Sequence, residues 1–363
     1  MSPLELTTDA FGQFGEPVET FCLITAEGGG EHLDLRPGEG CSQVLHRTLA
    51  PGASLGELIA ADTPPDAHVL AVCPGRFLDS PTQPQLGART LAVLPAGSTP
   101  LTDEAVRYFL RSAATRTDIE RQAATAEEFF DRVGASERLA ITDDVTGSEA
   151  EFDHTLGDCV WNQQAGVLEP GDQQIFPAGK LSVTAAEITT FDPSARLLGL
   201  TGDLTLRGWP IVHRHADPAD AADQQRLFQA LTPLVSHAVV LRVAGGHIEN
   251  VTPHDSGGKS AAEALEQLLT EDPRYRVIWE LGFGINTTTE IIPANCGPNE
   301  VYGATGGVVN LGLGITPTTR FALAFLCPRS SLLASDGSAV LGARKAVRRG
   351  RLQRVSSAGC GCH

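Results

Sequence analysis

Several short clusters in this chain carry residue types that could do chemistry. His213-Arg214-His215 places two imidazoles two residues apart. Alternate residues of a strand share a face, so the pair could ligate one metal ion. No carboxylate partner for either ring can be read nearby, and partly exposed structural histidines are the commoner explanation of such a pair. Cys360-Gly361-Cys362-His363 offers three ligands where a structural zinc site needs four. Gly257-Gly258-Lys259-Ser260 is similar to a phosphate-binding loop, but that loop needs a glycine where Pro253 stands. Gly282-Phe283-Gly284 lacks the third glycine of a dinucleotide site. After Asp336 the chain has no acid but carries Arg344, Lys345, Arg348, Arg349, Arg351 and Arg354. Such a run is either a solvated tail or a patch that holds an acidic peptide segment.

The formal net charge is −17, the opposite of the basic footprint expected of a nucleic-acid binder. Hydrophobic residues make up 42% and charged residues 20% of the 363, the balance of a soluble globular protein. No apolar run is long enough to span a bilayer, so no membrane association is expected. Met1 to Ala10 is polar and acidic, unlike a signal peptide, which makes a cytoplasmic location the expectation. Six of the eight cysteines are scattered among apolar neighbours and read as reduced core thiols.

The elements that must position any site divide the chain. Val69 to Cys73 and Thr90 to Leu94 are short apolar runs bounded by Gly and Pro, as in buried strands. Thr102 is a candidate N-cap for a helix whose apolar positions are Val106, Phe109, Leu110 and Ala113. A second helix is expected from about Ile119 to Val133, with Gly134 as its C-cap. Beyond it, strand character returns at 139–142, 197–206 and 237–252. Gly245-Gly246 sits between two β runs as a two-residue hairpin turn. Ser260 and Glu263 form a candidate capping box for a helix bearing Leu265, Leu268 and Leu269. The expected fold class is α+β: an N-terminal α/β domain over 1–137, a mostly antiparallel β domain over 138–341, and a basic tail over 342–363.

Four blocks in order give the second half a resemblance to a known family. They are Leu139 to Asp143 with Thr146 to Phe152; Gly171-Asp172 with Phe176 to Thr184; Trp279 to Asn286; and Glu300 to Tyr302 continuing through Gly307 to Gly314. Together they resemble the thermophilic leucyl aminopeptidases, whose relatives include an iron-dependent ring-opening dioxygenase of pyridine catabolism. The resemblance implies an aminopeptidase-like β-rich domain and a homodimer. It also implies which positions would hold metal. There the chain departs from the pattern. Lys180 stands at one acid position, Glu280 is retained, Asn310 replaces a histidine, and Phe321 to Pro328 contains no His, Asp or Glu.

A divalent cation needs several anionic or imidazole ligands to offset its dehydration, and an ammonium among them adds repulsion. The expectation is therefore a pseudoenzyme with neither metal nor other cofactor, in which Lys180 forms an ion pair with Glu280. Lys180, Glu280, Asn310, Tyr302, Trp279 and Arg320 are the expected peptide-cleft residues, with core packing the competing account for each. A degenerate, peptide-binding member of this kind resembles the peptide-binding proteins of crocagin biosynthesis. That resemblance implies a ribosomally made precursor peptide as partner, held during pyrroloindoline formation, with partner biosynthetic enzymes. The alternative is a metallo-aminopeptidase or mononuclear-iron dioxygenase with relocated ligands drawn from His213, His215, His247 and His254.

Overall fold

A computed structural model describes residues 3–27, 33–73, 76, 78–94, 103–156, 159–185, 197–215, 217–292 and 294–342. Thr102, the basic tail and the Cys360-Cys362-His363 cluster lie outside the described residues.

The fold is α+β, as the sequence implies. Its N-terminal sheet is parallel and five-stranded, in the order Gln173–Ile175, Thr90–Val93, His68–Val72, Thr20–Ala26, Gln43–Leu49. Every residue of His68–Val72 is buried, as expected of a strand covered on both faces. Phe21, Leu23, Leu70 and Ala92 pack with Val106, Phe109 and Leu110 of the helix Asp103–Thr115. Cys22, Ile24, Val69 and Ala71 pack on the opposite face with Leu55 and Ile59 of the helix Leu55–Asp62.

Leu4–Thr7 and Leu33–Arg36 pair as a small parallel sheet beside the five-stranded one, and two antiparallel sheets make up most of the remainder. One has six strands in the order Trp209–Arg214, Phe321–Cys327, Val308–Leu313, Ile278–Gly284, Lys180–Ala185, Cys159–Gln164. The other has seven, in the order His247–Pro253, Val239–Ala244, Gly199–Leu206, Glu149–Asp153, Leu139–Asp143, Ser330–Leu333, Ala339–Leu341. Leu181, Val183, Leu281, Phe283, Val309 and Leu311 of the first sheet share one core with Ile141, Phe152, Leu200 and Leu241 of the second. The period of two along each strand leaves the other face of the six-stranded sheet for a site.

The two halves interlock across residue 137. The strand Gln173–Ile175 completes the N-terminal sheet, and the helix Ile119–Gly134 places Ala126, Phe129 and Val133 in the core of the antiparallel sheets. Gly245 and Gly246 both have positive φ, +56° and +79°, and join the strands Val239–Ala244 and His247–Pro253 as the sequence implies. Two helix boundaries differ from expectation. Gly134 is the last helical residue, and Ala135 is the cap. The helix Lys259–Glu271 begins before Ser260, because the Asp255 carboxylate already accepts the N–H groups of Gly257 and Gly258. Cys22, Cys73, Cys296 and Cys327 are buried free thiols, and burial raises their pKa, to about 11 for the first two and about 12 for the others.

Candidate functional site

Three of the four sequence blocks meet as neighbouring strands. Ser182 is paired with Gly282, and Gly282 with Asn310. Lys180, Ser182, Glu280, Asn162, Gln164, Ala322, Ala324 and His213 all project from one face of this sheet, where they line a cavity of about 400 Å³. Val93 and Ile175 of the parallel sheet, with Leu78 and Leu94 from the loops beside it, wall the cavity, and Trp279, Ile315 and Thr316 complete its rim. The hollow exists because the strands carry small residues at its centre. A Cβ on Gly282 would stand 3.3 Å from Lys180 Cε, and one on Gly312 would stand 2.9 Å from Glu280 Cβ.

The floor is a connected set of charges. Lys180 Nζ donates to Glu300 Oε2 at 2.6 Å and to Glu280 Oε2 at 3.1 Å. His213 Nε2 lies 2.5 Å from Glu300 Oε1. An ionised carboxylate only accepts, so His213 carries its proton on Nε2. Burial would push the Glu300 carboxyl up, but the Lys180 charge and the His213 hydrogen bond outweigh it and hold the group well below the usual carboxylate range. Burial likewise opposes the Lys180 ammonium, yet the charges of Glu280 and Glu300 hold it above the ordinary lysine value.

Buried polar clamps fix these groups. Asn310 donates through Nδ2 to the Glu300 carbonyl at 3.1 Å, while its Oδ1 makes no hydrogen bond among the described residues. Asn299 exchanges two hydrogen bonds with the backbone of Ile292 and so closes the turn Gly297–Val301 that carries Glu300. Asn295 and Gln224 grip the backbone of Val212, the neighbour of His213.

The expected ion pair between Lys180 and Glu280 is present. Lys180, Glu280 and Trp279 line the cavity. Asn310 sits behind it, 1% exposed, and acts on the position of Glu300. Tyr302 packs beside Ile211, Val308 and Leu326 on the same sheet face, without lining the cavity. Arg320 does not belong to the site: its guanidinium reaches out to Asp220 and Asp223 of the helix region 220–231 and leans on the Phe321 ring. Glu300 and His213, absent from the expected cleft set, are central to it. The signal for Glu300 is that it is the one charged residue in the segment Ile291 to Leu313.

The donor set does not suit a metal ion. Both carboxylates converge on an ammonium, and among the described residues no group of three or more His, Cys, Asp or Glu side chains is placed to hold a metal. A dication beside Lys180 would meet direct repulsion in a poorly solvated pocket. Of the four histidines considered as substitutes, His213 is the one lining the cavity; His247 and His254 belong to or follow the edge strand of the other sheet. Among the described residues no helix is long and apolar enough to cross a membrane.

Fold and site together define an α+β protein with a parallel sheet set against two antiparallel sheets, and a cavity floored by an ammonium held between two carboxylates. No family model matches the chain, and neither does any curated protein. Among solved structures, 2,5-dihydroxypyridine dioxygenase from Pseudomonas putida KT2440 matches over 90% of both chains, with a TM-score of 0.54 and 16% identity. The chain shares its overall fold with that dioxygenase.

Proposed function

We propose that this chain is a metal-independent peptide-binding protein that holds one or two side chains of a ribosomally made precursor peptide in the cavity during formation of a crocagin-like product. The observation that carries the reading is the Lys180 ammonium, seated between Glu280 and Glu300 on the floor of a pocket walled by Leu78, Val93, Leu94, Ile175 and Trp279. The ammonium supplies internally the positive charge that a bound metal would bring. What is left for a ligand is shape, apolar wall and a few polar anchors, the ordinary composition of a binding pocket. At about 400 Å³ the cavity lies in the lower part of the usual range for ligand pockets, suited to part of a peptide rather than a long stretch. Any help to ring formation then comes from orientation of the held segment. A homodimer, with other biosynthetic enzymes as partners, belongs to the same proposal.

Isothermal titration with overlapping segments of a candidate precursor tests it. One segment binds in the micromolar range, on the order of −8 kcal/mol, to protein stripped of metal, and Ala322→Phe, which fills the cavity, abolishes the signal. Binding or turnover that requires an added metal would favour instead a dioxygenase-like or aminopeptidase-like activity on this fold.

A further inference from the structure

A second recess lies on the helix Asp103–Thr115, a groove of about 240 Å³ lined by Glu104, Arg107, Tyr108, Arg111, Ser112 and Arg116. Three guanidinium groups against one carboxylate make it basic, on a chain whose net charge is −17. Arg111 and Arg116 are exposed and form no ion pair with any described residue. Arg107 and Arg111 are one helical turn apart, so both side chains reach over the same surface. Ser112 lies beneath them, 2% exposed, and its hydroxyl has no hydrogen-bond partner among the described residues. A buried hydroxyl in that state is costly, and an anion over the groove supplies an acceptor. The Tyr108 hydroxyl accepts the Glu290 N–H at 2.8 Å and donates to no described residue. Through that bond the groove abuts the segment that runs on to Glu300 and the floor of the cavity.

We infer that this groove is an anion-binding site for the carboxylates of an acidic peptide segment. The inference rests on the peptide-binding reading and extends it: the cavity holds a side chain, and the groove holds an acidic stretch elsewhere on the same ligand. Planar guanidinium groups match carboxylates in a bidentate way. A long polyanion such as nucleic acid is repelled by the overall charge, whereas a short acidic segment senses mainly the local arginines within a Debye length.

Fluorescence anisotropy with labelled octaglutamate on the full chain is the test, with octaglutamine and inorganic phosphate as competitors. The expected result is binding that weakens at 0.5 M salt, is not displaced by octaglutamine, is displaced by phosphate only in large excess, and falls about tenfold in Arg111→Gln/Arg116→Gln. Both side chains are exposed, Arg111 on the helix and Arg116 just after its last residue, and circular dichroism checks that the fold is kept. Unchanged octaglutamate affinity in the double variant, no binding to the wild type, or phosphate binding more tightly than the peptide overturns the inference. A neutral apolar peptide titrated in parallel reports on the cavity: octaglutamate failing while that peptide binds removes the groove alone, and both failing removes the peptide reading as well.

Discussion

Lys180 Nζ lies 2.6 Å from Glu300 Oε2, closer than the 3.1 Å that separates it from Glu280, the partner the sequence suggests. A turn between two strands therefore supplies the nearer counter-charge, and the ammonium bridges elements 100 and 120 residues away in sequence. In a pocket with little solvent, each carboxylate depends on that one cation.

Removing the cation should be expensive. Lys180→Met leaves two buried carboxylates with only His213 to offset them, and we expect a loss of about 3–5 kcal/mol in stability. Urea denaturation measures it. A loss below about 1 kcal/mol would mean that the cluster is solvated well enough to do without the lysine.

The same cluster sets a pH dependence. The Glu300 pKa is depressed from its ordinary 4.5, so its contribution to stability is present above that value and is lost as pH falls through the lower folded value. The Lys180 pKa is raised from 10.5, so its contribution is present below that value and is lost as pH rises through the higher folded value. Stability should form a plateau between roughly pH 5 and 10 and fall on both sides. Lys180→Met should flatten both limbs; limbs of unchanged slope would assign them to other groups.

Two glycines make room for the floor. A Cβ on Gly312 would meet Glu280 Cβ at 2.9 Å and Trp279 Nε1 at 3.1 Å. Gly312→Ala should cost about 1–3 kcal/mol by overpacking, and it should weaken ligand uptake by displacing Trp279 and Glu280. Thermal unfolding and peptide titration on one preparation check both effects. Full affinity with full stability would show that the strand gives way at no cost.

Arg320 supplies the contrasting case. Its side chain is 50% exposed and pairs with Asp220 and Asp223 outside the cavity. Arg320→Ala should cost no more than about 1 kcal/mol and leave peptide affinity unchanged. A large loss of affinity would place the binding surface on the outer edge of the sheet.

The class of fold is legible because the periods are strong: apolar runs for the parallel strands, Gly-Gly for a hairpin, a 3.6-residue stripe for the helix Asp103–Thr115. Lys180 and Glu280 are legible through the family pattern around them. Glu300 and His213 are not, because their meeting depends on which strands become neighbours, and register between distant strands is a tertiary outcome. Arg320 follows the strand-forming block closely in sequence, yet its direction is set by two aspartates a hundred residues earlier. The crossing strand Gln173–Ile175 is hidden for the same reason: a three-residue strand has too little pattern to declare its sheet.

The central claim is that an ammonium takes the role of a bound cation. Its most direct test is elemental analysis of wild-type protein incubated with zinc, manganese or ferrous iron and then freed of unbound metal. Sub-stoichiometric metal for every ion is the predicted result, with unchanged thermal stability. One tightly held ion per chain, lost in Glu280→Gln or Glu300→Gln, would contradict the account.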